Sequence, residues 1–145
     1  MSNLLRGFYS GFIATIALTI IMMVKKVMGV MPELDPIHMM STMISMKLGI
    51  IESPIIGWIM HFGVGTVAWG GAFAVFYHVL PTANKVSKGI SLGIIAWVLM
   101  MIGPMPMSGA GFFGLNIGLG APIMTLVLHI IFGVVLGLVF KPNEK

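Results

Sequence analysis

Four long apolar runs separated by short polar stretches set the rhythm of this chain. The first extends from Gly7 to Val24, between Arg6 and the pair Lys25-Lys26, and the second from Pro54 to about Val79. The third begins at Gly89 and stays regular to about Ile102. The fourth runs from about Leu119 to Phe140 and is closed by Lys141-Pro142. About 20 consecutive apolar residues are enough to cross the hydrocarbon core as a helix, so the pattern predicts four spans. The first resembles a signal sequence only superficially: its apolar core is too long, no small-residue cleavage site follows, and lysines stop it, so a retained helix is expected. The third regular run would extend only about 21 Å as a helix. The remainder of that crossing must come from the uncharged stretch Gly103 to Gly120, which carries Pro104, Pro106 and a series of glycines. Irregular backbone at membrane depth has to be buried in protein or line a cavity. A kinked helix end and a partly re-entrant loop capping the bundle are expected there.

Between the first two spans lies the one substantial polar segment. Met31-Pro-Glu-Leu-Asp-Pro36 reads as a turn, with Asp35 as N-cap and Pro36 at the first helical position. A short helix follows to about Leu48, with Met39, Met43 and Met46 on one face and Lys47 off it. Such a helix lies at the membrane interface or packs on the bundle. A metal-capturing methionine face that includes His38 is the functional alternative, but methionine at helical spacing is more often plain packing.

Small residues recur along the spans at helical spacing: Gly7, Gly11, Thr15 and Thr19 in the first; Gly57, His61, Gly65, Ala68 and Ala72 in the second; Thr125, His129, Gly133 and Gly137 in the fourth. These stripes predict close helix contact and turn both intramembrane histidines away from lipid. A duplication is also visible. Pro54, His61 and Gly65 repeat in spacing as Pro122, His129 and Gly133, and Arg6-Gly7-x-x-x-Gly11-Phe-Ile-Ala14 repeats as Lys88-Gly89-x-x-x-Gly93-Ile-Ile-Ala96. The expected architecture is therefore an all-α integral membrane four-helix bundle forming a single domain over residues 1–145. It comprises two parallel two-helix repeats, 6–80 (with an insert at 31–53) and 88–141, related by an axis along the membrane normal.

Composition agrees with the pattern: 58% of residues are hydrophobic and 8% charged, against about 25% charged in soluble domains, and mean hydropathy is +1.06. The net charge of +4 resides in loops and ends, so it reads as topology and lipid contact rather than nucleic-acid binding. Arg6, Lys85, Lys88, Lys141 and Lys145 fall on one side, while Lys25, Lys26 and Lys47 fall on the other, offset by Glu33, Asp35 and Glu52. Both termini are therefore expected to be cytoplasmic. The absence of cysteine excludes disulfides and thiolate chemistry. No carboxylate lies within a span and no phosphate-cradling loop is present, so acid–base catalysis and nucleotide-driven transport are unsupported.

Three motifs together carry a resemblance: Met31-Pro-Glu-Leu-Asp35; Met60-His61 with Gly65-Thr-Val-x-Trp69-Gly70; and Met105-Pro-Met-x-Gly-Ala-Gly-x-Phe-Gly114 with Thr125-Leu-Val-Leu-His129. In these the chain resembles an uncharacterised family of small prokaryotic four-helix inner-membrane proteins, YagU-like in style. The resemblance implies that fold and location and brings no activity or catalytic residue with it.

Function then rests on His61 and His129, expected level with each other in the outer half, with Thr19, Met22, Met100 and Met101 in the same layer. The leading reading is structural: each imidazole hydrogen-bonds a threonine or a freed carbonyl, no cofactor is held, and the protein is an accessory subunit of a larger membrane assembly or a homo-oligomer. The first alternative is an electron-transfer subunit with His61 and His129 as axial ligands of a b-type haem and Gly65 and Gly133 leaving room for the macrocycle. The second is a Cu(I) site drawing on His61, His129, Met60, Met101, Met105 and Met107, since 15 methionines are present and soft thioethers with imidazole favour Cu(I). A small-molecule carrier or channel is the last.

Overall fold

The computed structural model describes residues 1–143. Glu144 and Lys145, the latter one of the charges counted above, lie outside them. The described residues form an all-α fold. Helix α1 covers Asn3–Val27, α2 Pro36–Leu48, α3 Pro54–Phe76, α4 Lys85–Ile102 and α5 Gly120–Val139. Four helices are long and apolar enough to cross a membrane, the third being α4 continued to Met107. Their starts follow local chemistry. Ser2, Asp35, Ser53 and Asn84 each accept a hydrogen bond from a backbone N–H of the first turn, and Pro36 and Pro54 occupy the position where no N–H is needed. Helix α2 ends at Gly49, which takes the left-handed conformation (φ 64°) that stops a helix most cheaply with glycine.

Two glycine-lined crossings hold the spans together. Helix α1 meets α3 where a Cβ on Gly7 would collide with the Gly70 carbonyl and one on Gly11 with that of Gly65. Helix α4 meets α5 where Gly89 abuts the backbone of Gly133, and Gly93 that of His129. Close backbone approach of this kind is the main source of association between helices in lipid, where burial from water contributes nothing. The two crossings share their glycine order but not their register. Gly11 faces Gly65, whereas Gly93, its counterpart in the duplicated motif, faces His129, one turn before Gly133.

Helix α3 departs from the expected regular helix. Val64–Gly70 is π-helical, which inserts one residue and rotates everything after it. The buried face consequently passes from Gly57, His61 and Gly65 to Gly70 and Ala74, while Ala68 is exposed. The stripe predicted to continue through Ala68 and Ala72 is displaced by that extra residue.

Cations close the helix ends. Lys25 Nζ donates to the carbonyls of Val30, Met31 and Leu34 at 3.0, 2.9 and 2.9 Å, which folds the α1–α2 turn around a buried ammonium. Lys88 Nζ donates to the carbonyls of Tyr77 and Leu80 beyond the end of α3 and lies 5.0 Å from the Tyr77 ring centre. Arg6 and Lys85 reach the Lys141 and Leu138 carbonyls at the end of α5. Helix termini leave carbonyls unpaired and carry partial negative charge, so donors that are also cations suit them. These contacts gather Arg6, Lys85, Lys88 and Lys141 at the end of the bundle that carries the termini, with Lys25, Lys26 and Asp35 at the other.

The long crossing between α4 and α5 is kinked as expected. Helix α4 stops at Ile102, Gly103 is non-helical, and Pro104–Met107 adds one turn. A 3-10 turn at Phe112–Gly114 follows, with Gly109, Gly111, Gly114 and Gly118 at positive φ. Asn116 ties this segment to itself through its Nδ2 on the Gly109 carbonyl. Its inner side, Met105 and Ala110, packs with Leu34 and Met101, and Phe112 and Leu115 are exposed. At the terminus-bearing end a second cluster of Phe73, Leu92, Phe132, Leu136 and Phe140 fills the bundle. The outside of the spans is apolar, with Phe12, Ile20, Ile59, Val67, Ile123 and Val127 among the exposed side chains. A surface of this kind suits a lipid bilayer and not water.

Candidate functional site

Between the two buried clusters lies a cavity of about 250 Å³, bordered by residues from all five helices. His61 and His129 both border it. So do 7 of the 15 methionines: Met22, Met60, Met100 and Met105 from the spans, and Met39, Met40 and Met43 from α2. Gly65 and Trp69, from the π-helical segment, form part of its wall. No Asp, Glu, Lys or Arg among the described residues borders it.

Helix α2 is placed over this cavity by a glycine. The Ile37 backbone passes so close to Gly57 that a Cβ there would strike the Ile37 carbonyl. Ser41 Oγ donates to the Ser53 carbonyl at 2.7 Å, tying α2 to the start of α3. Its methionine face is thereby turned onto the bundle. Met46, predicted for that face, is exposed instead, and His38 turns to the polar surface, where its Nδ1 lies 3.0 Å from Glu52 Oε1.

Hydrogen-bond bookkeeping fixes the tautomer that each imidazole takes in its neutral form. The Thr19 hydroxyl donates its single proton to the Thr15 carbonyl at 2.7 Å. Thr19 Oγ1 also lies 2.9 Å from His61 Nε2, so that nitrogen must be the donor. The neutral ring then carries its lone pair on Nδ1. His129 Nδ1 lies 2.8 Å from the Thr125 carbonyl, which can only accept, so the His129 lone pair is on Nε2. Both histidines therefore have their N–H groups committed and one electron pair uncommitted. The hydroxyls at the cavity wall are also spent inward: Thr15 on the Gly11 carbonyl, Ser108 on that of Met105, and Thr125 on that of Ala121, with Thr125 Oγ1 in turn accepting from Trp97 Nε1.

The sequence-designated residues divide accordingly. His61, His129, Met60, Met105 and Gly65 come together at the cavity. Met101 is fully buried beside it with its sulfur 3.8 Å from the Thr125 hydroxyl, Met107 is exposed, and Gly133 is spent in the crossing with Gly89. Met39, Met40 and Met43 as cavity wall were missed as a group, although Met39 and Met43 had been placed on one face. Their signal was present in the spacing, but nothing in it said where α2 docks. Among the described residues no group of three or more His, Cys, Asp or Glu is arranged to hold a metal ion.

At the polar end of the bundle, Lys26 pairs with Asp35 at 3.2 Å and the Asp35 carboxylate caps α2 through the His38 N–H. Burial pushes the Asp35 carboxyl up, but the His38 hydrogen bond and the neighbouring Lys26 ammonium outweigh it and hold the carboxyl below its ordinary value.

Fold and site together define a four-span helical membrane protein with a methionine- and histidine-walled cavity between its spans. The chain belongs to a family of unknown function, DUF6789, whose model matches residues 1–145. No curated protein and no solved structure matches it.

Proposed function

We propose that this protein is a membrane-embedded binding protein whose site is the cavity between its spans, in a prokaryotic inner membrane with both termini cytoplasmic. The observation that carries this reading is the convergence of the two intramembrane histidines on one cavity whose wall draws on every helix. A purely structural role needs each imidazole to have one partner, and each has one. It does not require both to border the same cavity with an electron pair left over.

The cavity also limits what is bound. Pockets for drug-sized ligands have volumes of about 300–1,000 Å³, so 250 Å³ suits something smaller. A haem is not smaller, and Gly133, which was to leave room for the macrocycle, packs on Gly89. The haem reading is therefore not the one we adopt. The internal duplication retains support in the shared glycine order of the two crossings. We read it as two two-helix repeats slipped by one turn.

The test is thermal unfolding of the detergent-solubilised protein in the presence of small probes: monovalent and divalent metal ions, and benzene as a neutral apolar molecule. At least one probe should raise Tm in the wild type and lose its effect in Ala96→Leu, which puts a larger side chain into the cavity wall. If no probe moves Tm, the cavity is packing space and the histidines are structural.

A further inference from the structure

We propose that the cavity binds a soft monovalent cation, Cu(I), through the imidazoles of His61 and His129 and the thioethers of Met60 and Met105. The proposal rests on the binding reading above and names its ligand class. Its starting point is what the wall offers a guest. The hydroxyls of Thr15, Ser108 and Thr125 and both imidazole N–H groups already donate to protein acceptors. The Trp69 indole N–H is the bordering donor that makes no hydrogen bond among the described residues. In contrast, electron pairs are abundant: one on each imidazole and those of seven thioether sulfurs. A guest that accepts hydrogen bonds, such as a carbonyl compound, finds few partners here. A guest that accepts electron pairs finds many.

The identity of those pairs selects the cation. Thioether and imidazole are soft and borderline donors that favour Cu(I), while Mg(II), Ca(II) and Mn(II) need oxygen ligands, and Zn(II) sites are built from thiolate, imidazole and carboxylate. No carboxylate borders the cavity among the described residues, and the chain has no cysteine. A single positive charge among neutral ligands is also the least expensive ion to hold in an apolar wall.

A second observation points the same way. Histidines that bind metals almost always donate their other ring N–H to a carbonyl, carboxylate or similar acceptor, which fixes the tautomer and aims the lone pair. His129 does this through the Thr125 carbonyl at 2.8 Å. His61 does it through Thr19 Oγ1 at 2.9 Å, and Thr19 is itself fixed by the Thr15 carbonyl. Thr19 is thus a positioning residue for His61. The methionines of α2 extend the soft wall toward the polar end of the bundle and give the ion a path of like donors.

The experiment is anaerobic competition between the detergent-solubilised full chain and a chromophoric Cu(I) chelator, with Ag(I) and Zn(II) run in parallel and the Tm shift by benzene measured on the same sample. The wild type should withdraw one equivalent of Cu(I) and respond to Ag(I) but not to Zn(II). His61→Ala and His129→Ala should each weaken Cu(I) binding at least tenfold. Thr19→Val, which leaves every ligand in place, should weaken it by about 10–100-fold. Histidine variants that fail to fold leave the decision to Met60→Leu and Met105→Leu, which conserve volume and should each weaken binding several-fold with the metal-free Tm unchanged. Failure of the folded wild type to take Cu(I) from the chelator overturns the proposal, as does Cu(I) binding that is unchanged in both methionine variants. If benzene raises Tm while Cu(I) does not bind, the soft-metal proposal fails and the cavity reading stands. If neither binds, both fail.

Discussion

Replacing Lys25 with methionine should unfasten the turn that carries α2 onto the bundle. Lys25 is 9% exposed and its ammonium donates to three carbonyls, those of Val30, Met31 and Leu34. Methionine keeps the length and most of the volume of the side chain, so the variant removes the three N–H donors and little packing. The Leu34 carbonyl bond is buried, and leaving that acceptor unpaired costs about 1–3 kcal/mol. The carbonyls of Val30 and Met31 are only partly buried and can turn to water, so they add on the order of 0.5 kcal/mol each. The sum is about 2–4 kcal/mol. For a chain of this size each kcal/mol moves Tm by roughly 2–4 °C, which gives a fall of about 4–16 °C, measurable by circular dichroism in detergent. Hydrogen exchange should accelerate first at Met31 to Leu34. Lys26→Met is the internal control, since the Lys26–Asp35 pair has side chains 70% and 31% exposed and such pairs are worth about 0–1 kcal/mol. Lys25→Arg should recover only part of the loss, because a planar guanidinium does not present three donors around one point. A fall of less than about 2 °C in Lys25→Met, or an equal fall in Lys26→Met, refutes the claim that the buried ammonium holds this turn.

The remaining predictions concern other joints of the same fold. Gly133→Leu places a side chain against the Gly89 backbone and should separate α4 from α5, lowering stability by at least the cost of ordinary overpacking, about 1–3 kcal/mol, read as a fall in Tm. Gly63→Ala, at a helical position where an added Cβ meets nothing, should instead stabilise the protein by about 0.4–1 kcal/mol in the same unfolding assay. The Asp35 carboxyl has a folded pKa held below its unfolded value, so the stability it contributes is present above the unfolded pKa and is lost as pH falls through the folded one. Hydrogen exchange in the first turn of α2 should therefore quicken below about pH 4. Asp35→Asn, an equally good N-cap, should remove that pH dependence.

Much of this fold was legible because lipid imposes a simple rule: a span must be about 20 residues and apolar. Four spans, the short helix Pro36–Leu48 and the kink at Gly103 all followed from spacing, caps and prolines. Small-residue stripes also gave the correct packing faces of α1 and α5, because a regular helix keeps its period of 3.6. The π segment defeated the same reasoning in α3. Ala68 has the right size and the right α-helical offset from His61, yet it is exposed. Neither size nor offset records an inserted residue. Only the run Gly63, Gly65, Gly70 and Gly71 hinted that the backbone there was free to depart from the α form. For the site, the two histidines were visible as the only ionisable groups deep in the spans. Their electron pairs were not, because a tautomer depends on which acceptor lies opposite, and that is a tertiary fact.

The π segment and the slipped crossing are linked. In the duplicated motif Gly65 and Gly133 correspond, yet Gly65 stands against Thr15 and Gly133 against Gly89. The α1–α3 crossing is therefore displaced by one turn relative to the α4–α5 crossing. In a bundle without the π segment, the face carrying His61 would continue through Ala68, and no glycine would face Gly7. The extra residue brings Gly70 round to Gly7 while leaving His61 on Thr19. Deleting Val67, an exposed residue inside the π segment, tests this directly. The deletion removes the one residue the π segment holds in excess, so an α-helical continuation leaves Gly70 opposite Gly7. The variant should therefore keep the α1–α3 contact, seen as a retained crosslink between cysteines introduced on the two helices near that crossing. The His61–Thr19 bond lies on the unshifted side and should survive, which a preserved imidazole NMR signal would report. Loss of the crosslink would refute the reading that the π segment sets the crossing by holding one extra residue.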